Sequence, residues 1–123
     1  MVVQEEKQRI TDAIENGFGS ESRVLGIAYA LKNYENEYSE DVGIAELRKK
    51  FKLAVENSGL TGIVENQIDY YCSLMGYEGE LIWEEREKID ELELGISAML
   101  DMGLSCDQKF IDIFELKKIK PEN

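Results

Sequence analysis

The stretch ELIWEEREKIDELELGISAMLDM, Glu80–Met102, decides how the chain folds. On a wheel at about 100° per residue, Leu81, Ile82, Ile89, Leu92, Ile96, Met99 and Leu100 share one stripe. Glu84, Glu87, Asp90 and Glu91 fall on or near the opposite side. A stripe at that period packs one face of a helix against other helices and leaves the other face in water. The spacing predicts a long amphipathic helix over Glu80–Met102, the fifth in the chain.

Working outward, the apolar spacing is helical nearly throughout, and convincing strand alternation is absent. A first helix is predicted over 3–16, with Ile10, Ala13 and Ile14 inward, ended by NGFGS. A second starts at Ser20 or Ser22 and runs to about Glu35, with Val24, Leu25, Ala28, Leu31 and Tyr34 inward. ENEYSED is a polar connection. Asp41 is expected to cap a third helix carrying Ile44, Leu47, Phe51 and Val55, which stops at ENSG. Thr61 is expected to cap a fourth, carrying Val64, Ile68, Tyr71, Cys72 and Met75. Gly76 and Gly79 bracket the turn before the fifth. Ser105 and Gln108 match a capping box for a sixth, in which the hydroxyl meets a backbone N–H and the amide reaches back. Its apolar residues are Phe110, Ile111, Ile113, Phe114 and Leu116. The expectation is an all-α protein: a compact bundle of five to six helices, mostly antiparallel neighbours, in a single domain over 1–118 with a frayed tail over 119–123.

Composition narrows the function classes. The 123 residues carry a formal charge of -12 and no histidine. Such a surface repels phosphate backbones and anionic lipid, so direct nucleic-acid or membrane binding is not expected, and basic partners are favoured. Residues 61–123 hold 15 acidic and 6 basic side chains, against 11 and 8 in residues 1–60. Cys72 and Cys106 form no CxxC pair and read as reduced, semi-buried thiols of a cytoplasmic protein. MVVQEEKQRI has no apolar signal-peptide core, and no apolar run approaches the roughly 20 residues that span a bilayer.

Chemistry is constrained by the missing histidine. Serine–histidine and cysteine–histidine nucleophile systems are excluded, along with the commonest general base. GFGSES at Gly17–Ser22 lacks a third glycine, a P-loop lysine and a preceding strand, and reads as a turn with a serine cap. No EF-hand spacing occurs. No catalytic residue, cofactor or metal site is expected, and the chain is not expected to be an enzyme.

Binding is the remaining theme. Between Glu78 and Glu93 only Arg86 and Lys88 offset the acids. An ordinary surface helix mixes signs to gain i,i+4 pairs, each worth about 0.2–0.5 kcal/mol. Trp83 and Leu94 lie outside the core stripe, in line with Glu87, Asp90 and Asp101. Apolar side chains ringed by carboxylates have the composition of an anchor with a polar rim. The plainer alternative is a solvated acidic face, with another element covering the indole. Tyr34 and Tyr38, among Glu35, Glu37, Glu40 and Asp41, repeat the theme. Tyr71 is the better core candidate and Tyr70 the better surface one. The partner-binding candidates are therefore Glu78, Glu80, Trp83, Glu84, Glu87, Asp90, Glu91 and Leu94, then Tyr34, Glu37, Tyr38 and Glu40.

The expected partner is a basic protein, a nuclease toxin or a nucleic-acid-binding enzyme. The expected function is that of an immunity protein, an antitoxin or a phage-encoded inhibitor imitating DNA charge, such as an anti-CRISPR. The alternative is a non-catalytic helical adaptor that homodimerises through Trp83 and Leu94, its acidity serving solubility only.

Overall fold

Eight consecutive residues, Val24–Leu31, carry no charged side chain, and every one of them is buried. A helical segment apolar all round sits at the centre of a bundle, and this one does. The computed structural model describes residues 2–17, 19–75 and 86–114. Among the described residues there are six α-helices and no strand. They are α1 (Val2–Glu15), α2 (Glu21–Glu37), α3 (Ile44–Ser58), α4 (Thr61–Met75), α5 (Arg86–Asp101) and α6 (Gln108–Phe114).

Helix α2 packs against α1, α3, α4 and α5, most extensively against α5. Two glycines set that last contact. A Cβ on Gly26 would lie 2.9 Å from the Gly95 carbonyl oxygen and 3.0 Å from the Met99 nitrogen. A Cβ on Gly95 would lie 2.5 Å from Tyr29 Cε2 and 3.2 Å from Leu25 Cβ. Gly26 also approaches Met102, so the contacts descend α5 as they climb α2, and the pair is antiparallel. Ile89, Leu92, Ile96 and Met99 fill the space beside the crossing, as the wheel predicts.

Aromatic rings join α4 and α6 to this pair. Tyr29 stacks on Tyr71 at 4.4 Å between centroids, and Tyr71 on Phe110 at 5.2 Å. Their polar ends are satisfied: Gln67 Nε2 donates to the Tyr29 hydroxyl at 3.3 Å and to the Lys88 carbonyl at 3.2 Å, and the Tyr71 hydroxyl donates to Asn33 Oδ1 at 2.7 Å. The buried Gln67 amide thus ties α4 to both α2 and α5.

Helix ends follow local chemistry. Ser20 caps α2, its hydroxyl accepting from the Arg23 N–H at 3.4 Å. Gly59 ends α3 at φ 78°, a left-handed conformation that glycine adopts without strain. Lys109 donates to the terminal carbonyls of α4 at Leu74 and Met75.

Several expectations are corrected. Helix α2 continues through Glu37, two residues past the predicted end. Ser105 and Gln108 do not form a capping box. The Ser105 hydroxyl and N–H both turn to the buried Glu6 carboxylate, at 2.8 and 3.1 Å, because that acid on α1 needs donors. Asp107 replaces Ser105 at the start of α6, accepting from the Lys109 N–H at 2.8 Å, and Gln108 pairs with Asp112. Asp41 does not cap α3 directly. It accepts from the Gly43 N–H at 3.0 Å in the turn before the helix. Tyr70 is buried, not at the surface, since α4 is covered on two sides: Tyr71 faces α2, and Lys88 of α5 lies over the Tyr70 ring at 5.4 Å. Cys72 and Ile113 are exposed, not inward. The predicted first turns of the fifth helix, with Glu85 in the apolar stripe, lie outside the described residues, as do Gly76, Gly79 and Leu116.

The glycine crossing yields a prediction whose sign opposes helix propensity. Alanine is favoured over glycine in a helix by about 1 kcal/mol, yet Gly95→Ala will lower the urea midpoint because overpacking costs about 1–3 kcal/mol. Gly62, with nothing within 4 Å of its would-be Cβ, is the control. Gly62→Ala will raise stability by roughly 0.5–1 kcal/mol. A stabilised Gly95→Ala variant would show that the two helices do not meet this closely.

Candidate partner-binding surface

Because α5 buries one side on α2, its other side is left to water. Glu87, Asp90, Leu94 and Asp101 are exposed there, and Glu91 and Ser97 are half-buried among them. Leu94 is 58% exposed. Lys88 points elsewhere, over the Tyr70 ring. None of the ion pairs between described residues involves Glu87, Asp90, Glu91 or Asp101. Glu87, Asp90, Glu91 and Leu94 are therefore brought together on one strip of α5. Glu78, Glu80, Trp83 and Glu84 lie outside the described residues.

The second candidate group divides. Glu37 and Glu40 are exposed and Tyr38 is half-buried. Tyr34, placed on the inward stripe of the second helix and also among the partner candidates, is only 2% exposed, so only the inward placement holds. Its hydroxyl donates to Asp41 Oδ2, and its ring lies 4.9 Å from that of Tyr38. The reason is its place on the inward face of α2, closed over by Asp41 and Tyr38, where it cannot reach a partner. Asp41 also pairs with Lys7 at 2.9 Å. The Tyr34 hydroxyl, the Gly43 N–H and Lys7 together hold the Asp41 carboxyl down at about 2. Burial, followed by the Asp41 carboxylate, raises the Tyr34 phenol. This corner locks α1 to the α2–α3 turn, and its tyrosine is structural.

A cleft of about 350 Å³ opens beside this corner, lined by Asn33, Asn36, Glu37, Met75, Cys106 and neighbours. Burial, then the nearby Asp107 carboxylate, pushes the Cys106 thiol up to about 12. A thiol held protonated is a poor nucleophile. Among the described residues no group of three or more Cys, Asp or Glu is placed to hold a metal ion. No helix among them is long and apolar enough to cross a membrane.

A further surface was not anticipated. A groove of about 250 Å³ runs between α2, α3 and α4 over Ala28, Leu31, Phe51 and Ile68. Lys32, Arg48 and Lys52 rim it, with Glu35 as the acid among them. Glu35 accepts from Arg48 Nε at 2.7 Å and lies 3.6 Å from Lys32. The signal was present as RKKFK, Arg48–Lys52: four bases around one aromatic in a strongly acidic chain.

A scan against protein-family models finds no match to the chain, and searches of curated proteins and of solved structures return no significant match.

The Asp41 corner sets an acid dependence. Its folded-state pKa lies below the ordinary 3.8, so its contribution is fully present above 3.8 and is lost as pH falls toward about 2. Asp41→Asn will lower the denaturation midpoint at neutral pH, and the gap to wild type will close across that window. A gap constant with pH would show that the carboxylate charge is not what holds the corner.

Proposed function

We propose that this chain is a small acidic binding protein that docks on a basic protein acting on nucleic acid and blocks it. The targets in view are a nuclease toxin, restrained as by an immunity protein or antitoxin, and a nucleic-acid-binding enzyme, restrained as by a phage-encoded DNA mimic such as an anti-CRISPR. The observation that carries this reading is the α5 strip: Leu94 exposed among Glu87, Asp90, Glu91 and Asp101, none of which enters an ion pair between described residues. At about 1.5 Å rise per residue, Glu87 to Asp101 spans about 21 Å, the axial length of about six phosphates along one strand. Carboxylates on a rigid helix attract a cationic groove at long range and speed encounter. The leucine then supplies a point of apolar contact that a phosphate backbone lacks. A non-catalytic role is supported by the absent histidine and the protonated Cys106 thiol.

The test is capture of partners from the native host with the intact chain as bait, followed by binding measurements. A basic, nucleic-acid-acting protein will be retained at low salt and released at high salt. Glu87→Gln, Asp90→Asn and Glu91→Gln combined will leave the helical circular dichroism intact and weaken binding by more than about 1 kcal/mol, the level of a consequential interface group. Undiminished affinity in that variant would remove α5 from the interface and favour the solubility-only adaptor.

A further inference from the structure

The α2–α3–α4 groove and the α5 strip carry opposite charge around an apolar element each. The groove has an apolar floor of Ala28, Leu31, Phe51 and Ile68, and bases at its rim. Lys52 is exposed and enters none of the ion pairs between described residues. The strip is the converse: one projecting leucine with Asp90 and Glu91 one turn before it and Asp101 two turns after it. The two cannot meet within one copy. Tyr29 and Gly26 turn one side of α2 to α5, whereas Ala28, Leu31 and Lys32 turn another side to the groove, so α2 stands between them.

We infer that the groove is a docking site for a second copy of this chain, with Leu94 of one copy entering between Leu31, Phe51 and Ile68 of the next. Asp90 and its neighbouring acids then face Lys32, Arg48 and Lys52 across the rim. The contact is heterologous: each copy offers one projection and one groove. Such contacts propagate into chains, or into rings where the rotation closes. With one buried leucine and rim charges screened by salt, association is weak, rises with concentration and falls with ionic strength. It uses the strip assigned above to a basic target, so target binding and self-association exclude each other. The inference does not rest on that assignment, because it is measured with the chain alone.

Sedimentation velocity over a concentration series tests it. The expected result is a weight-average sedimentation coefficient that climbs with concentration at low salt and falls back on adding salt. Leu94→Ser removes the projection, and Lys32→Glu with Lys52→Glu reverses the rim. Leu94 and Lys52 are exposed and Lys32 is half-buried, and circular dichroism checks that both variants fold. Each variant alone will stay monomeric, its self-association weakened at least about tenfold. An equimolar mixture will form a dimer and nothing larger, because it retains one intact groove and one intact projection. A wild-type chain that stays monomeric throughout the series overturns the inference. So does a mixture that stays monomeric, which places the contact elsewhere. Dimers of the groove variant alone also overturn it, since they indicate a symmetric leucine-to-leucine contact. If wild-type association resists salt, an apolar face other than this rimmed groove is responsible.

Discussion

Where α2 crosses α5, neither backbone leaves room for a side chain on Gly26 or Gly95. The constraint is costly locally, since glycine within a helix forfeits about 1 kcal/mol of propensity. In exchange the helices come close enough for Tyr29 to lie against Gly95 and stack on Tyr71. The Tyr29–Tyr71–Phe110 stack then carries the packing out to α4 and α6, and Gln67 closes the triangle between α2, α4 and α5. A bulkier residue at the crossing would push α5 outward and loosen each of these in turn, because close-packed interiors transmit strain.

The same crossing governs the surface. Burying Ile89, Leu92, Ile96 and Met99 against α2 fixes the rotation of α5, and that rotation aims Glu87, Asp90, Leu94 and Asp101 at solvent. Acids presented by a rigid helix keep their spacing, so a cationic partner pays little to order them. On another side of the molecule, α3 gathers Arg48, Lys49, Lys50 and Lys52. The proposed partner contact and the proposed self-contact would thus be two uses of one charge layout, both set by which faces α2 claims.

Much of the fold is legible in the residues. Apolar spacing of about 3.6 identifies the inward faces of α1, α3 and α5, and glycine and serine identify most helix ends. The central role of α2 is harder to read. Spacing alone gives it a stripe, but Val24–Leu31 is apolar on every side, and continuous apolarity signals enclosure. The same enclosure takes in Tyr34, whose acidic neighbours alone suggest a partner contact. Ser105 fits a capping box by spacing alone, yet loses its hydroxyl to Glu6, 99 residues away. No local pattern reports a partner that distant. The exposure of Glu87, Asp90 and Leu94 was legible because it follows from the period of one helix. The Phe51 groove was not, because it forms from three helices.

The central claim is that the α5 carboxylates are read by a cationic protein. Carboxyl footprinting, with carbodiimide labelling read by mass spectrometry, tests this directly on the free chain and on its complex with the captured partner. The account predicts that Glu87, Asp90, Glu91 and Asp101 lose reactivity in the complex while Glu46 and Glu56 on α3 keep theirs. Unchanged labelling along α5, with protection elsewhere, would contradict it.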